Sequence, residues 1–205
     1  MHAQTRSCSR GSPVLRDNVA FAEETSVYGG AEVELTFDEL GPDTGTTSYL
    51  SGYLEFERRH FYAGIWGQVA NDEALSELDV YLGYRNKTAA GLSYDFGYTR
   101  YIYPNDGGDC CGELTVSLGV PIGDKLTATL DLAYDPAGSL GNAYVEVAYQ
   151  ASEKFGLSAN YGVCEIEDAP SEQEWDSGVT YSLTDETAVD LVITTDPIMS
   201  TATSG

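Results

Sequence analysis

Apolar and polar residues alternate along most of the chain with a period of two. Around Glu34, for example, Val33 and Leu35 are apolar, whereas Glu32 and Thr36 are polar. This period is typical of a β-strand with unlike faces, and almost no segment shows the spacing of an amphipathic helix. The pattern predicts eleven strands, at residues 27–38, 49–58, 61–69, 77–85, 91–103, 113–120, 125–135, 142–150, 154–163, 174–183 and 187–194.

The connections between these strands alternate between short and long. Neighbours this close in sequence should pair as antiparallel hairpins in an up-and-down meander. Short turns on one rim and longer loops on the other are typical of outer-membrane barrels. The short connections are 58–60, 86–90, 121–124, 151–153 and 184–186, and the long ones are 39–48, 71–76, 104–112, 136–141 and 164–173.

Alternation alone does not say which face of the sheet meets water. A soluble sandwich or barrel buries its apolar face, whereas a membrane barrel turns that face toward lipid. The acids and glycines on the polar face, and the Tyr and Trp near the strand ends, favour the membrane barrel. The expected fold class is all-β, an antiparallel up-and-down transmembrane β-barrel with eleven strands visible and about twelve in the complete protein, since bacterial barrels have even strand numbers.

Both ends of the chain depart from this pattern. Ala20, Phe21 and Ala22 form an A-x-A cleavage site of the kind found after signal peptides, without the apolar stretch that should precede it. We interpret residues 1–22 as a non-barrel segment, the remnant or replacement of a signal peptide. The barrel is expected over 23–196 and an irregular tail over 197–205.

The composition is strongly acidic, with Lys+Arg 10, Asp+Glu 33 and a formal net charge of -23. A chain without a basic patch is not expected to bind nucleic acid. His2 and His60 are the only histidines, and no G-x-S-x-G sequence is present. These features predict a protein that is not an enzyme and that has no metal site and no cofactor.

The acids at the polar positions of the alternation are predicted to line the barrel interior. Such acids should favour cations over anions, although side chains that fill the lumen are an equal alternative. The predicted lumen-lining acids are Glu32, Glu34, Glu55, Glu57, Glu77, Asp79, Asp95, Glu113, Asp131, Glu146, Asp176 and Asp190. The predicted interfacial aromatics are Tyr62, Trp66, Tyr84, Tyr101, Tyr103, Tyr134, Trp175 and Tyr181.

Two smaller features stay open. Cys164 could form a disulfide with Cys110 or Cys111 in an oxidising compartment, or these could be loop cysteines with no special role. Arg100 falls on the apolar face by parity. It would either snorkel to the head-group level or mark a β-bulge that shifts the register.

Four segments resemble the TorF-type porin family of Gram-negative bacteria. They are HFYAGIWGQV at 60–69, ELDVYLGY at 77–84, LSYDFGYTRYIYP at 92–104 and WDSGVTYSL at 175–183. With the strands between them, the resemblance covers roughly residues 26–196. It implies an exported barrel in the outer membrane of a Gram-negative bacterium, inserted by the barrel-assembly machinery.

The function expected from these features is a porin, a passive diffusion channel for small cationic or neutral solutes. The alternative is a non-conducting outer-membrane barrel whose acidic loops bind divalent cations, lipopolysaccharide or a partner. A soluble barrel that binds an apolar ligand inside is a further alternative. Both the porin and the non-conducting barrel would have outer-membrane lipid and lipopolysaccharide as neighbours.

Overall fold

The computed structural model describes residues 25–37, 46–71, 76–105, 108–166, 169–184, 186–194 and 198–199. Over these ranges the chain forms β-strands and turns and no helix, so no described segment could cross a membrane as a helix. The predicted segment 1–22 lies outside the described residues. The strands are β1 Ser26–Phe37, β2 Thr46–Arg58, β3 Phe61–Ala70, β4 Glu77–Lys87, β5 Ser93–Tyr103, β6 Gly108–Ile122, β7 Leu126–Asp135, β8 Leu140–Gln150, β9 Phe155–Ile166, β10 Ala169–Ser182, β11 Ala188–Thr194 and β12 Ile198–Met199.

These strands form one antiparallel sheet in which β1 to β11 follow one another in chain order. The all-β, up-and-down part of the sequence prediction is therefore confirmed. Among the described residues β1 and β11 are the two ends of this order and do not pair with each other. The closure into a barrel that the sequence predicted is not seen.

The last strand occupies a segment that was predicted to be an irregular tail. Ile198 and Met199 pair with Gln173 and Glu172 of β10. Glu172 also pairs with β9 on its other side, so β12 lies along the same side of β10 as β11. Its register is offset by one residue from that of β11.

Several strands are longer than the alternation predicted. β6 begins at Gly108 rather than at residue 113, and β9 and β10 extend to Ile166 and from Ala169. The predicted loops at 104–112 and 164–173 are correspondingly shorter. A backbone ladder does not need alternating side chains, because its hydrogen bonds join main-chain groups. Hydrophobic pattern therefore marks the apolar part of a strand and misses a polar extension.

The turn between β2 and β3 shows how short connections are made. Arg59 and His60 have positive φ angles of 52° and 73°, and they alone separate Arg58 from Phe61. Two residues at positive φ define a type I′ turn, whose twist matches that of the flanking strands. The predicted short turn at 58–60 is thus a two-residue hairpin turn.

The described residues divide into two compact units. The N-terminal unit takes its residues from Val19–Asn86 and Asp95–Thr115, which include β1 to β3 and most of β4 and β5. The C-terminal unit takes its residues from Lys87–Tyr94 and Val116–Gly205, which include β7 to β12.

Burial is inverted relative to a soluble sheet protein. Val33 is 71% exposed and Leu191 is 69% exposed, whereas Glu57 and Asp79 are 7% exposed. The same inversion occurs in both units. The described buried polar side chains are Glu55, Glu57, Ser76, Asp79, Thr129, Asp135, Asn160 and Glu172.

Candidate functional site

The polar face of the N-terminal unit is organised in rows across β2, β3 and β4. Antiparallel register places residues of adjacent strands directly opposite one another, with Cβ atoms about 4.5–5.5 Å apart. From the β2–β3 turn outward, the rows are Glu57–Tyr62–Gly83, Glu55–Gly64–Tyr81, Tyr53–Trp66–Asp79 and Ser51–Gln68–Glu77.

Near the β2–β3 turn, one cation joins two acids, and we call this group the Arg85 network: Glu55, Glu57, Tyr62, Arg85 and Asp95. The Arg85 guanidinium donates to Glu57 from Nε at 3.0 Å and from Nη2 at 2.6 Å, and Nη2 also contacts Glu55. Its Cζ lies 4.5 Å from the centroid of the Tyr62 ring, a cation–π distance. The Tyr62 hydroxyl donates to Asp95 at 2.6 Å. Buried carboxylates are tolerated in proteins when they are paired in this way.

Tyrosines fill the polar face by lying over glycines of the next strand. Tyr81 stands opposite Gly64, and Tyr62 stands opposite Gly83. A Cβ added at Gly64 would come within 2.5 Å of the Tyr81 ring and 2.8 Å of the Leu54 carbonyl oxygen. The glycines thus give the rings the space that they occupy. Gly30 with Tyr53 and Gly162 with Tyr144 repeat the arrangement.

Farther along the same face lies a second group, the Glu77 cluster: Glu77, Asp79, Tyr101, Tyr103 and Glu113. The Tyr103 hydroxyl donates to Glu77 at 2.9 Å, and the Tyr101 hydroxyl donates to Glu113 at 2.8 Å. The carboxyl groups of Glu77 and Asp79 are close enough to interact with each other. In contrast to the Arg85 network, this cluster contains three carboxyl groups and no Lys or Arg.

One oxygen atom of the Glu77 cluster has no hydrogen-bond donor. Asp79 Oδ1 is buried and has no hydrogen-bond partner, and the same is true of Asn160 Oδ1 in the C-terminal unit. A buried acceptor without a donor costs free energy, so each such atom calls for an explanation. Within the described part of the chain, no three His, Cys, Asp or Glu side chains are arranged to hold a metal ion.

The predicted lumen-lining acids share the polar parity but differ in environment. Glu55, Glu57 and Asp79 are buried, and Glu32, Glu34 and Asp190 lie exposed on the terminal strands β1 and β11. The difference follows from position, because a terminal strand has a neighbour on one side only. The remaining acids, Glu77, Asp95, Glu113, Asp131, Glu146 and Asp176, are half-buried.

Four of the predicted interfacial aromatics lie on the polar face of the sheet, and their place at a membrane interface stays a prediction. The hydroxyls of Tyr62, Tyr101 and Tyr103 donate to carboxylates of the polar face, and Trp66 stands opposite Asp79 on that face. A polar tip on a large ring allows tyrosine to pack inside as well as at an interface. The other four, Tyr84, Tyr134, Trp175 and Tyr181, lie on the apolar face.

The outward aromatics pair with neighbours near the strand ends. Tyr84 packs edge-on against Phe61, with ring centroids 5.0 Å apart. Tyr181 packs against Phe155 at 4.9 Å and lies 5.9 Å from the Lys154 ammonium. These contacts place aromatic rings beside the short turns, as an interfacial belt requires.

On the polar face of the C-terminal unit, neutral side chains donate hydrogen bonds to acids. Asn160 donates to Asp176 at 3.0 Å, and Thr180 donates to Asp190 at 2.5 Å. Asp135 is 2% exposed and accepts from the Ala137 backbone N–H at 2.8 Å, which fixes the turn after β7. Sequence reasoning did not single out Asp135, and its place just before Pro136 was the available indication.

Two of the cysteines are buried and take part in disulfides. Cys111 and Cys164 are both disulfide-bonded, and they are 5% and 1% exposed. The Tyr144 hydroxyl lies 3.0 Å from Cys164 Sγ. The pairing of Cys164 with Cys110 or Cys111 stays a prediction, and Cys8 lies outside the described residues.

Arg100 is held by an acid of the following strand. Its Nε and Nη2 atoms donate to the two Asp109 oxygens at 2.6 and 2.7 Å. Asp109 lies at the start of β6, ahead of the alternation that begins at Leu114. The guanidinium lowers the pKa of the Asp109 carboxyl below its ordinary value. Arg100 is therefore neutralised at the strand end.

Comparison with known proteins identifies a family but no function. No curated protein and no solved structure matches the chain. A bacterial family of unknown function, Gcw_chp, matches residues 52–197, which run from within β2 past the end of β11. The chain belongs to the Gcw_chp family.

Proposed function

We propose that this protein is an outer-membrane barrel whose apolar face meets lipid and whose polar face lines a narrow, cation-preferring diffusion path. The observation that carries the proposal is the inverted burial: Leu35 is 55% exposed and Glu55 is 8% exposed, on strands that pair with each other. In water such a sheet would expose a large apolar surface, which soluble monomers avoid. In a bilayer the same surface is the stable one.

The proposal includes closure of the sheet and a Gram-negative outer membrane as its location. A sheet with free edges leaves backbone groups unpaired, which is costly in lipid. Pairing between the first and last strands would satisfy them. The resemblance to TorF-type porins supports this location, and the Gcw_chp match covers most of the same strands.

Cation preference follows from the charge of the polar face. Acidic side chains attract cations and repel anions in a narrow path. Of the basic side chains that share the parity of the lumen acids, Arg85 is committed to Glu55 and Glu57. The acids of the polar face outnumber its bases, so the path along this face would carry a negative field.

The test is conductance of the refolded chain in planar bilayers under a salt gradient. Discrete steps with a reversal potential of cationic sign are expected. Glu113→Gln should reduce the cation preference, while Asp124→Asn, in the turn after β6, should leave it unchanged. Steps of anionic sign would overturn the assignment of the acids to the path.

A second function is favoured by the filling of the polar face. The Tyr62 and Tyr81 rings and the sealed Arg85 network occupy space that a solute would need. A non-conducting barrel would use its outer loops to bind divalent cations, lipopolysaccharide or a partner. A protein that inserts into bilayers and gives no steps would establish this alternative in place of the pore.

A further inference from the structure

The hairpin between β2 and β3 carries two arginines that no acid neutralises. Arg58 and Arg59 are exposed, and neither has a hydrogen bond or an ion pair within the described part of the chain. The other two described arginines, Arg85 and Arg100, are each held by carboxylates. In a chain with Asp+Glu 33 and Lys+Arg 10, two neighbouring arginines without an acid partner are an exception.

The backbone fixes the positions from which these two side chains extend. Arg59 and His60 are the two positive-φ residues of the type I′ turn, and Arg58 is the last residue of β2. The Arg85 backbone N–H donates to the His60 carbonyl oxygen at 2.9 Å, which ties the turn to β4. The two guanidinium groups therefore extend from neighbouring positions of an ordered turn.

The apolar face of the sheet continues up to this turn. Alternation along β2 places Arg58 on the same face as the exposed Phe56. The exposed Phe61 stands opposite Arg58 on β3, and Tyr84 stands opposite Phe61 on β4. The Phe61 and Tyr84 rings pack against each other with centroids 5.0 Å apart. A cation thus ends a strip of apolar and aromatic side chains.

An anionic phospholipid matches both parts of this surface. A guanidinium binds phosphate oxygens through parallel N–H donors and keeps its charge at any physiological pH. Acyl chains would cover Phe56 and Phe61, which lie next to the arginine on the same face. A small free anion would bind the guanidinium groups but would leave the apolar side chains beside them uncovered.

We propose that Arg58 and Arg59 bind the phosphate of an anionic phospholipid whose acyl chains lie against the apolar face of β2 and β3. The inference rests on the proposed function, since lipid is taken to cover that face. It adds the class of lipid and the end of the strands that receives it. Short turns of outer-membrane barrels face the periplasm, so this lipid belongs to the periplasmic leaflet.

The C-terminal unit, taken by itself, contains a weaker form of the arrangement. Lys154 precedes Phe155 at the start of β9, and Phe155 stands opposite Tyr181. The Lys154 ammonium lies 5.9 Å from the centroid of the Tyr181 ring, and Glu153 is its neighbour in sequence. A single cation beside a ring and an acid offers less to a phosphate than two guanidinium groups without acid partners. The site is therefore assigned to the β2–β3 turn.

The experiment measures which lipid stays with the protein. The full chain is folded in detergent micelles that contain equal amounts of phosphatidylglycerol and phosphatidylcholine, and gel filtration in lipid-free detergent removes loosely held lipid. Mass spectrometry then quantifies the retained lipids. The wild-type chain should retain phosphatidylglycerol in preference, by about fivefold for each guanidinium. Arg58→Gln should remove one such factor.

The matched control is Arg100→Gln, the same change at an arginine that Asp109 holds. It should alter the lipid preference less than about twofold. A second control replaces chloride in the buffer by inorganic phosphate at equal ionic strength, which should leave the preference unchanged. Loss of the preference in phosphate would assign the arginines to a free anion and overturn the lipid site.

Three further results would overturn the site: no preference for phosphatidylglycerol in the folded wild-type chain, an unchanged preference in Arg58→Gln, or equal losses in Arg58→Gln and Arg100→Gln. If Arg58→Gln does not fold, Arg59→Gln takes its place with the same expectation. Circular dichroism verifies the fold of each variant before the lipids are extracted.

Flotation of the wild-type chain with pure phosphatidylcholine vesicles separates this site from the proposed membrane barrel. A protein that inserts into these vesicles and shows no lipid preference in micelles keeps the barrel and loses the site. A protein that retains phosphatidylglycerol in micelles but does not insert into vesicles keeps the site and loses the barrel.

Discussion

The Arg85 network and the Glu77 cluster lie on the same face of the same strands, yet they solve the burial of carboxylates differently. The first contains its own guanidinium, which contacts both Glu55 and Glu57. The second satisfies two of its acids with tyrosine hydroxyls and leaves Asp79 Oδ1 without a donor. The first group holds its acids with a cation, whereas the described hydrogen bonds of the second come from tyrosine hydroxyls. Acidic side chains that are equally buried are therefore held by different kinds of partner.

Removal of the guanidinium should have the largest effect. Arg85→Met leaves Glu55 and Glu57 buried and unpaired, and breaking a buried pair costs about 3–5 kcal/mol. The free energy of unfolding is measured by denaturant titration in detergent or vesicles. The triple variant Arg85→Met, Glu55→Gln and Glu57→Gln should recover most of the loss. Wild-type stability in Arg85→Met would contradict the view that the network is held by its cation.

Filling a glycine beneath a tyrosine should come next. A Cβ at Gly83 would meet the Tyr62 ring and come within 2.6 Å of the Phe96 carbonyl oxygen, so Gly83→Ala should cost about 1–3 kcal/mol. Gly67→Ala is the control, because its Cβ would find nothing closer than 3.8 Å. Equal stabilities of the two variants would show that the rings move aside freely.

Replacement of an acid by its amide should change the free energy of unfolding in opposite directions in the two regions. Glu57→Gln removes a charge that Arg85 needs and should destabilise by about 1–3 kcal/mol. Asp79→Asn replaces an acid whose Oδ1 atom has no hydrogen-bond donor, and it should stabilise the protein by up to about 1 kcal/mol. Denaturant titration of both variants at neutral pH gives the signs of the two changes. Destabilisation by both substitutions would remove the distinction drawn between the regions.

The smallest effect is expected at the exposed pair outside both regions. Since Arg100 lowers the pKa of Asp109, the pair contributes stability above the ordinary aspartate pKa, and this contribution is lost as the pH falls through the lowered value. The difference in melting temperature between wild type and Arg100→Gln should be small at neutral pH and disappear in acid or high salt. A difference that grows on acidification would have the wrong sign.

Period-two alternation was enough to predict β1 to β11 and their neighbour order, because side-chain parity is fixed by the pleat. It also placed Glu55, Glu57 and Asp79 on one face. It could not distinguish the Arg85 network from the Glu77 cluster, since parity does not indicate which acids the Arg85 side chain contacts.

Other features depended on contacts that no local pattern contains. Tyr101 and Tyr103 were assigned to an interface because aromatic residues near strand ends are common there. Their acceptors, Glu113 and Glu77, lie on the two neighbouring strands. The extensions of β9 and β10 were missed because the alternation of apolar and polar residues breaks there while the ladder continues.

The strict chain order of β1 to β11 has a consequence for how the sheet assembles. Every pairing between consecutive strands joins segments that are close in sequence, so the entropy lost on closing each hairpin is modest. Low contact order favours rapid growth from any hairpin outward. Loss of a terminal hairpin would leave the register of the remaining pairs intact. The hairpin is thus the natural unit by which such a chain is lengthened or shortened.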